Sequence, residues 1–322
     1  MQGPSVDKHN YRNMILAGIL TVTILLGWDM AMRYFYPNAN APKPAASAPA
    51  ATPSAAPKRT REGGLTNPAD IALEAQDIKT VLASPARVRI EAPGLSGSIN
   101  LAGGMVDDLT TNRHTATLNP ADGAQRIFSP AGTPAQQFAQ FGWTMGEGAP
   151  AIALPNAQTV WTAPAGAKLT PQSPVTLSWN NGGGQTFTLT YAIDADYMLT
   201  VTQGVSNTGP APVAVKPVAQ LNRTDKTAAL DSFNVHAGPF GAFDETVSFG
   251  PNYEDLREAG TLPGEGQPNW IGFTDIYWMS TLIPEKAGAT SDFRSLGTGL
   301  YLANLVYPQV AVNPCQQRSR VT

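Results

Sequence analysis

The chain has 322 residues and a formal net charge of -3, so no basic surplus exists to neutralise phosphates, and nucleic acid is excluded as a partner. Its 30 glycines and 28 prolines, with only 14% charged residues, suit a turn-rich β protein better than a helical one. The single cysteine, Cys315, forbids an internal disulfide; that excludes a small disulfide scaffold but not export from the cell.

Residues 1–13 form a short polar head. Met14 to Met32 comes next, uncharged from Met14 to Trp28, with Asp29 near its far end. A helix crosses the hydrocarbon layer with about 20 mostly apolar residues, so 14–32 is long enough if Asp29 sits at the interface. Arg33 and the aromatic run Tyr34-Phe35-Tyr36 suit the headgroup layer, and Pro37 ends the helix. The rival reading is a cleaved signal peptide, with Lys8 and Arg12 before an apolar Met14 to Gly27 and a cleavage site at Ala39-Asn40-Ala41. Pro42 directly after that site, and the bulky aromatic cluster before it, favour an uncleaved anchor. Lys8 and Arg12 nearly balance Arg33 and Lys43, so loop charge alone does not orient the span. The N-terminus is placed in the cytoplasm because the chain beyond the span reads as an exported domain.

Residues 33–80 read as an Ala/Pro-rich linker that cannot bury a core, and Lys58-Arg59-Thr60-Arg61 within it as solvated charge rather than a lipid site. Residues 81–312, about 230 residues, are enough for one large or two small cores. Val88 to Ala92 alternates with period two, and Leu95 to Leu101 continues the pattern. Gly103-Gly104 marks a turn or bulge before Met105 to Leu109. Val175 to Trp179 and Gln185 to Ile193 flank Asn180 to Gly184 as a hairpin. Tyr197 to Val205 and Val213 to Leu221 are two further strands. A short helix is predicted over Tyr253 to Ala259, capped by Asn252 and ended by Gly260. Trp270 to Ile283 reads as a buried strand pair or a strand with its continuation. Short strands at regular spacing with turns between them predict a β-sandwich.

The residues give little support for catalysis. His114 and His236, the histidines of the folded region, lie in no metal-binding spacing. Asp107-Asp108 and the pair Asp194 and Asp196 would suit acid–base work or calcium, but strand-end aspartates more often bind their own turn. Gly182-Gly183-Gly184 lacks the lysine and helix of a phosphate loop. Trp143, Trp161, Trp179, Trp270 and Trp278 could stack on sugars but read as core or sheet-surface residues. No catalytic, cofactor-binding or metal-ligating residue is assigned.

Four stretches resemble one family. Asn10-Tyr11-Arg12-Asn13-Met14-Ile15-Leu16 is similar to the start of the bacterial YidC membrane protein insertases (the YidC/Oxa/Alb family). Gly97 to Leu109 resembles their first periplasmic strands, and Phe138-Ala139-Gln140-Phe141-Gly142-Trp143 their F-A-x-F-G-W. Trp270-Ile271-Gly272-Phe273-Thr274-Asp275-Ile276-Tyr277-Trp278 resembles W-I-G-x-T-D-K-Y-W, with Ile276 where many members have lysine. Tyr197 to Val201 and His236-x-Gly238-Pro239 also fit.

The resemblance implies a mainly β fold: one N-terminal transmembrane helix, then a large periplasmic β-sandwich of the galactose-mutarotase-like supersandwich form, without that superfamily's catalytic residues. It implies a bacterial inner membrane location, single-pass here, with the bulk periplasmic. The implied activity is insertion and folding of integral membrane proteins, alone or with the Sec translocon, without cofactor or metal. The implied partners are membrane protein clients, the translocon's accessory subunits and the lipid bilayer. In that family the insertase core is a later five-helix membrane domain; no second apolar run of about 18 residues comes after Met32. Residues 313–322 depart from the Pro-Gly and further strand usual there, and are read as an aberrant or truncated tail. The chain by itself is therefore expected to lack insertase activity. A different class of function, a membrane-anchored glycan-binding β-sandwich, would need an open cleft lined by tryptophan and carboxylates. An enzyme of mutarotase type fits least, because histidines are scarce.

Overall fold

The computed structural model describes residues 64–322 apart from 66, 117–118, 149, 229–235 and 250. The anchor 14–32 and the spacer as far as residue 63 lie outside the described residues. Among the described residues no helix is long and apolar enough to cross a membrane.

Asn67 starts α1 (Pro68–Leu82): its side-chain oxygen accepts from the Ala69 amide at 2.9 Å, and Pro68 sits in the first turn, where a missing N–H costs nothing. A helix thus occupies the end of the stretch read as linker, because from Ala69 onward the residues are mostly helix formers. It docks through little surface. Ile71 joins Leu65 and Ala135 in a small apolar cluster, and buried Glu74 accepts the Ala135 amide at 2.8 Å.

Period-two alternation builds the rest. Along β8 (Gln185–Ile193) every odd-numbered residue is buried and every even-numbered one is not. The largest sheet runs β13 (Thr261–Pro263), β16 (Thr290–Gly297), β17 (Leu300–Val306), β10 (Val213–Thr224), β5 (Gln137–Met145), β3 (Met105–Thr115), β2 (Leu95–Asn100), β1 (Arg87–Glu91), β6 (Lys168–Leu169). Beside this path β4 (Ala124–Phe128) pairs with β3 and β18 (Val310–Val312) with β10. A second sheet has the order β12 (Thr246–Ser248), β11 (Gly238–Phe243), β14 (Pro268–Thr274), β15 (Met279–Leu282). A third has β19 (Gln316–Val321), β9 (Leu199–Asn207), β8, β7 (Val175–Asn180).

Register places both small sheets on one face of the large one. Directly opposite residues share a face; Ala139 faces Leu221, Phe141 faces Ala219, and Leu221 faces Ala303. From that face Phe141 and Trp143 meet Tyr191 and Phe187 of the third sheet. Phe293, opposite Ala303, meets Phe273 of the second sheet. One apolar core joins all three sheets. The second layer of the sandwich is therefore two sheets side by side, with β15 packed over β10 and β19 beside β18.

Of the two readings of Trp270 to Ile283 the strand pair holds, as the β14–β15 hairpin, and α2 (Tyr253–Ala259) has Asn252 as its cap with a full capping box. Residues 313–322, read as an aberrant or truncated tail, hold β19, paired with β9 from Gln316 opposite Asn207 to Val321 opposite Thr202. Two things hide it in the sequence. It is an edge strand with mostly exposed polar side chains, so alternation is lost. Its entry turn, closed by Gln316 N–H to the Asn313 carbonyl at 3.1 Å, has Cys315 at φ +62°, a position that normally selects glycine.

Candidate binding cleft

Where the two small sheets part, a cleft of about 690 Å³ opens onto the large sheet. Its floor is Val106 and Leu109 of β3, Ala139 and Phe141 of β5, and Leu221 of β10. One wall is β15 with Ile283; the other is the start of β9 with the end of β19. Two loops overhang it. The turn 194–198 brings Tyr197 and Met198, 43% and 50% exposed, and the hairpin tip brings Tyr277, 66% exposed, ahead of Met279 at 59%. Large apolar side chains this exposed and this contiguous mark an interaction surface more often than chance.

The hairpin tip is anchored from below. Arg223 of β10 and Asp275 are almost wholly buried and pair at 2.6 Å, and Arg223 Nη1 donates to the Thr274 carbonyl at 2.9 Å. Gln137 Nε2 donates to Ser280 Oγ at 3.0 Å. The Asp275 amide donates to the Trp278 carbonyl at 2.7 Å, closing a two-residue turn at Ile276-Tyr277. Gly272 is required because a Cβ there would stand 1.9 Å from the Ser280 carbonyl oxygen. The Thr-Asp and Gly of the W-I-G-F-T-D-I-Y-W stretch are thus the parts that aim this tip.

The end of β3 holds both overhangs. Arg113 pairs with Asp196 at 2.7 Å, donates to the Ala195 carbonyl at 3.1 Å and lies 5.6 Å over the Tyr197 ring. Its neighbour His114 packs edge-on against Trp278, with ring centroids 5.0 Å apart. Asp194 accepts the Asp196 and Met198 amides, the turn-binding role expected of a strand-end aspartate.

The other residues singled out in the sequence lie apart from the cleft. Asp107 pairs with Arg87, and burial, outweighing that arginine, pushes its carboxyl above the usual range. Asp108 pairs with Arg126 at 2.7 Å and accepts from Ser98 Oγ. His236 Nδ1 lies 2.9 Å from Thr274 Oγ1, and burial holds its pKa below the ordinary value. Gly182 to Gly184 form only the β7–β8 turn. Trp143 and Trp161 are core, Trp179 leans on Phe187, and Trp270 packs on Phe240. Only Trp278 of these tryptophans lines the cleft. Among the described residues no group of three or more His, Cys, Asp or Glu could hold a metal ion. Sequence reasoning missed Arg113 and Arg223; an arginine ending an apolar strand such as Val213 to Thr224 was the available signal for the second.

A family model described as the YidC periplasmic domain matches residues 87–322. The chain belongs to the YidC family. The match includes β19 and all the periplasmic stretches on which the resemblance rests. The membrane protein insertase YidC of Zymomonas mobilis subsp. mobilis is 36% identical over 316 residues, covering 95% of this chain and 51% of that protein. The YidC insertase of Rhizobium etli is 34% identical over 288 residues, 87% of this chain and 48% of that protein. The chain therefore spans about half the length of the curated YidC relatives it matches. Among solved structures, a galactose mutarotase related enzyme from Lactobacillus acidophilus superposes with a TM-score of 0.48 at 9% identity, over 73% of this chain and 95% of that one.

Proposed function

We propose that this chain is the membrane-anchored periplasmic part of a YidC-type insertase, the machinery that inserts and folds integral proteins of the bacterial inner membrane, alone or beside the Sec translocon. The observation that carries this reading is the 36% identity running through 316 residues of an insertase. In this reading 14–32 is a retained anchor with a cytoplasmic N-terminus, and the sandwich works in the periplasm. Its partners are membrane protein clients and accessory subunits of the translocon, and it acts by binding rather than by catalysis. The arrangement of the cleft supports that last point. Asp196 is engaged by Arg113, Asp194 by its own turn, and His114 by Trp278.

The cleft does have a tryptophan and three carboxylates, Asp194, Asp196 and Glu285, the pairing a glycan site would need. Its lining is nonetheless mostly aliphatic and aromatic, which suits an apolar partner better than a sugar.

The test is a chimera in which residues 1–322 replace the matching first half of the Zymomonas mobilis insertase. In a strain depleted of its own insertase the chimera should restore growth and client insertion. The 1–322 polypeptide alone is the control and should not. A chimera that is produced and folded yet fails to rescue would overturn the reading, as would rescue by 1–322 alone.

A further inference from the structure

The cleft is a gap in the second layer of the sandwich. It lies between the outer edges of two sheets, β15 on one side and β19 on the other. Antiparallel pairs alternate between residues that exchange backbone bonds and residues whose N–H and C=O point away. The Asp275–Trp278 bond sets that phase for the β14–β15 hairpin. With Phe273 opposite Ser280 and Ile271 opposite Leu282, the groups of Ser280 and Leu282 face β14, and those of Met279 and Thr281 face outward. On the other side Val201 and Thr322 exchange both bonds, so Val321 turns its backbone groups away from β9. The outward-facing donors and acceptors of Met279 and Thr281, with those of Val321 on the other side, thus border an apolar floor.

We propose that the cleft binds an extended, apolar polypeptide segment flanked by basic residues, which adds a strand to the outer edge of β15. Main-chain bonds to Met279 and Thr281 would fix its direction, and side chains of alternate residues would enter the apolar floor. Charge selects the basic flank. Every ionisable side chain lining the cleft is a carboxylate or a tyrosine: Asp194, Asp196, Glu285, Tyr197 and Tyr277. Arg113 offsets Asp196, whereas Glu285 is exposed at the end of the β15 wall. The strand geometry stands on the fold alone; only the source of the segment, an inner-membrane client on the periplasmic side, rests on the insertase reading.

The experiment uses the full chain in phosphatidylcholine nanodiscs, with empty nanodiscs as the blank. The probe is a fluorescent ten-residue peptide that alternates valine and threonine between terminal lysines, followed by anisotropy. A second peptide carries N-methyl groups on alternate backbone nitrogens, and a third has terminal glutamates. Thr281→Pro removes one outward-facing N–H while leaving the bonds to β14 in place. Glu285→Lys inverts the flanking charge. The lysine peptide should bind, and N-methylation and Thr281→Pro should each weaken it about tenfold, as expected for one or two lost backbone bonds. Glu285→Lys should shift preference toward the glutamate peptide. Equal binding of the methylated and unmethylated peptides would overturn the proposal without any variant having to fold. So would displacement of the peptide by maltoheptaose, which would assign the cleft to glycans. A concentration-dependent dimer that excludes the peptide and is abolished by Thr281→Pro would also overturn it, because the edge would then belong to a second copy. Peptide binding and chimera rescue can fail separately, so failure of one leaves the other standing.

Discussion

At the residue scale the most consequential pair is Arg223 with Asp275. Both are almost wholly dehydrated, so their attraction is strong and the cost of leaving either alone is larger still. Arg223→Met strands a buried carboxylate under the hairpin and should cost about 3–5 kcal/mol. Urea unfolding followed by far-UV dichroism checks this, and a loss below about 1 kcal/mol would show the pair to be dispensable. Cys315 carries the opposite kind of cost. An L residue at φ +62° is disfavoured by about 1 kcal/mol relative to glycine. Cys315 is exposed and forms no disulfide, so Cys315→Gly removes that cost at little loss of packing. The variant should be more stable by about 1 kcal/mol, read as a higher melting temperature. An unchanged or lower value would mean that the sulfur contributes more than the strain removes.

At the element scale β15 is the strand to watch. Four residues long, it is paired on one side only, and its phase is set by a two-residue turn. The amides of Met279 and Thr281 should exchange with deuterium much faster than those of Ser280 and Leu282, measured residue by residue by NMR. Uniform protection along the strand would mean that its outer edge is already covered. This element was legible in part. The apolar residues of Trp270 to Ile283 pointed to a buried strand pair or a strand with its continuation; the pair is there, but Tyr277, Met279 and Ile283 are exposed. That Asp275 meets an arginine some fifty residues earlier in the chain is a tertiary fact. No local spacing encodes it. β16 and β17 escaped prediction because their signals are mixed: β16 has only Phe293 and Leu296 among Thr, Ser, Asp and Arg, and a near-continuous apolar run on β17 has no period.

For the whole molecule, the mainly β sandwich was readable from glycine, proline and alternation, and the family from the stretches at 97–109, 138–143 and 270–278. Each of these proves to be structural. Gly97 admits the carbonyl of Asp108, Trp143 packs on Trp161 and Phe187, and Asp275 pins the hairpin. The cleft was not legible, since it exists only where two sheets end beside each other. Its overhanging residues, Tyr197, Met198 and Tyr277, look in sequence like ordinary loop or strand aromatics and sulfur. Exposure gives them meaning, and exposure depends on which strands lie at the edges.

The grip of Glu74 on the Ala135 amide also bears on mechanics. Leu65, Ile71 and Glu74 all close on Ala135, so α1 meets the sandwich there. Two residues further on, Gln137 is bonded to Ser280 in the wall of the cleft. α1, β5 and β15 are therefore coupled in series. A displacement of α1 thus travels to the rim of the cleft along a path of a few bonds, without passing through the centre of the core.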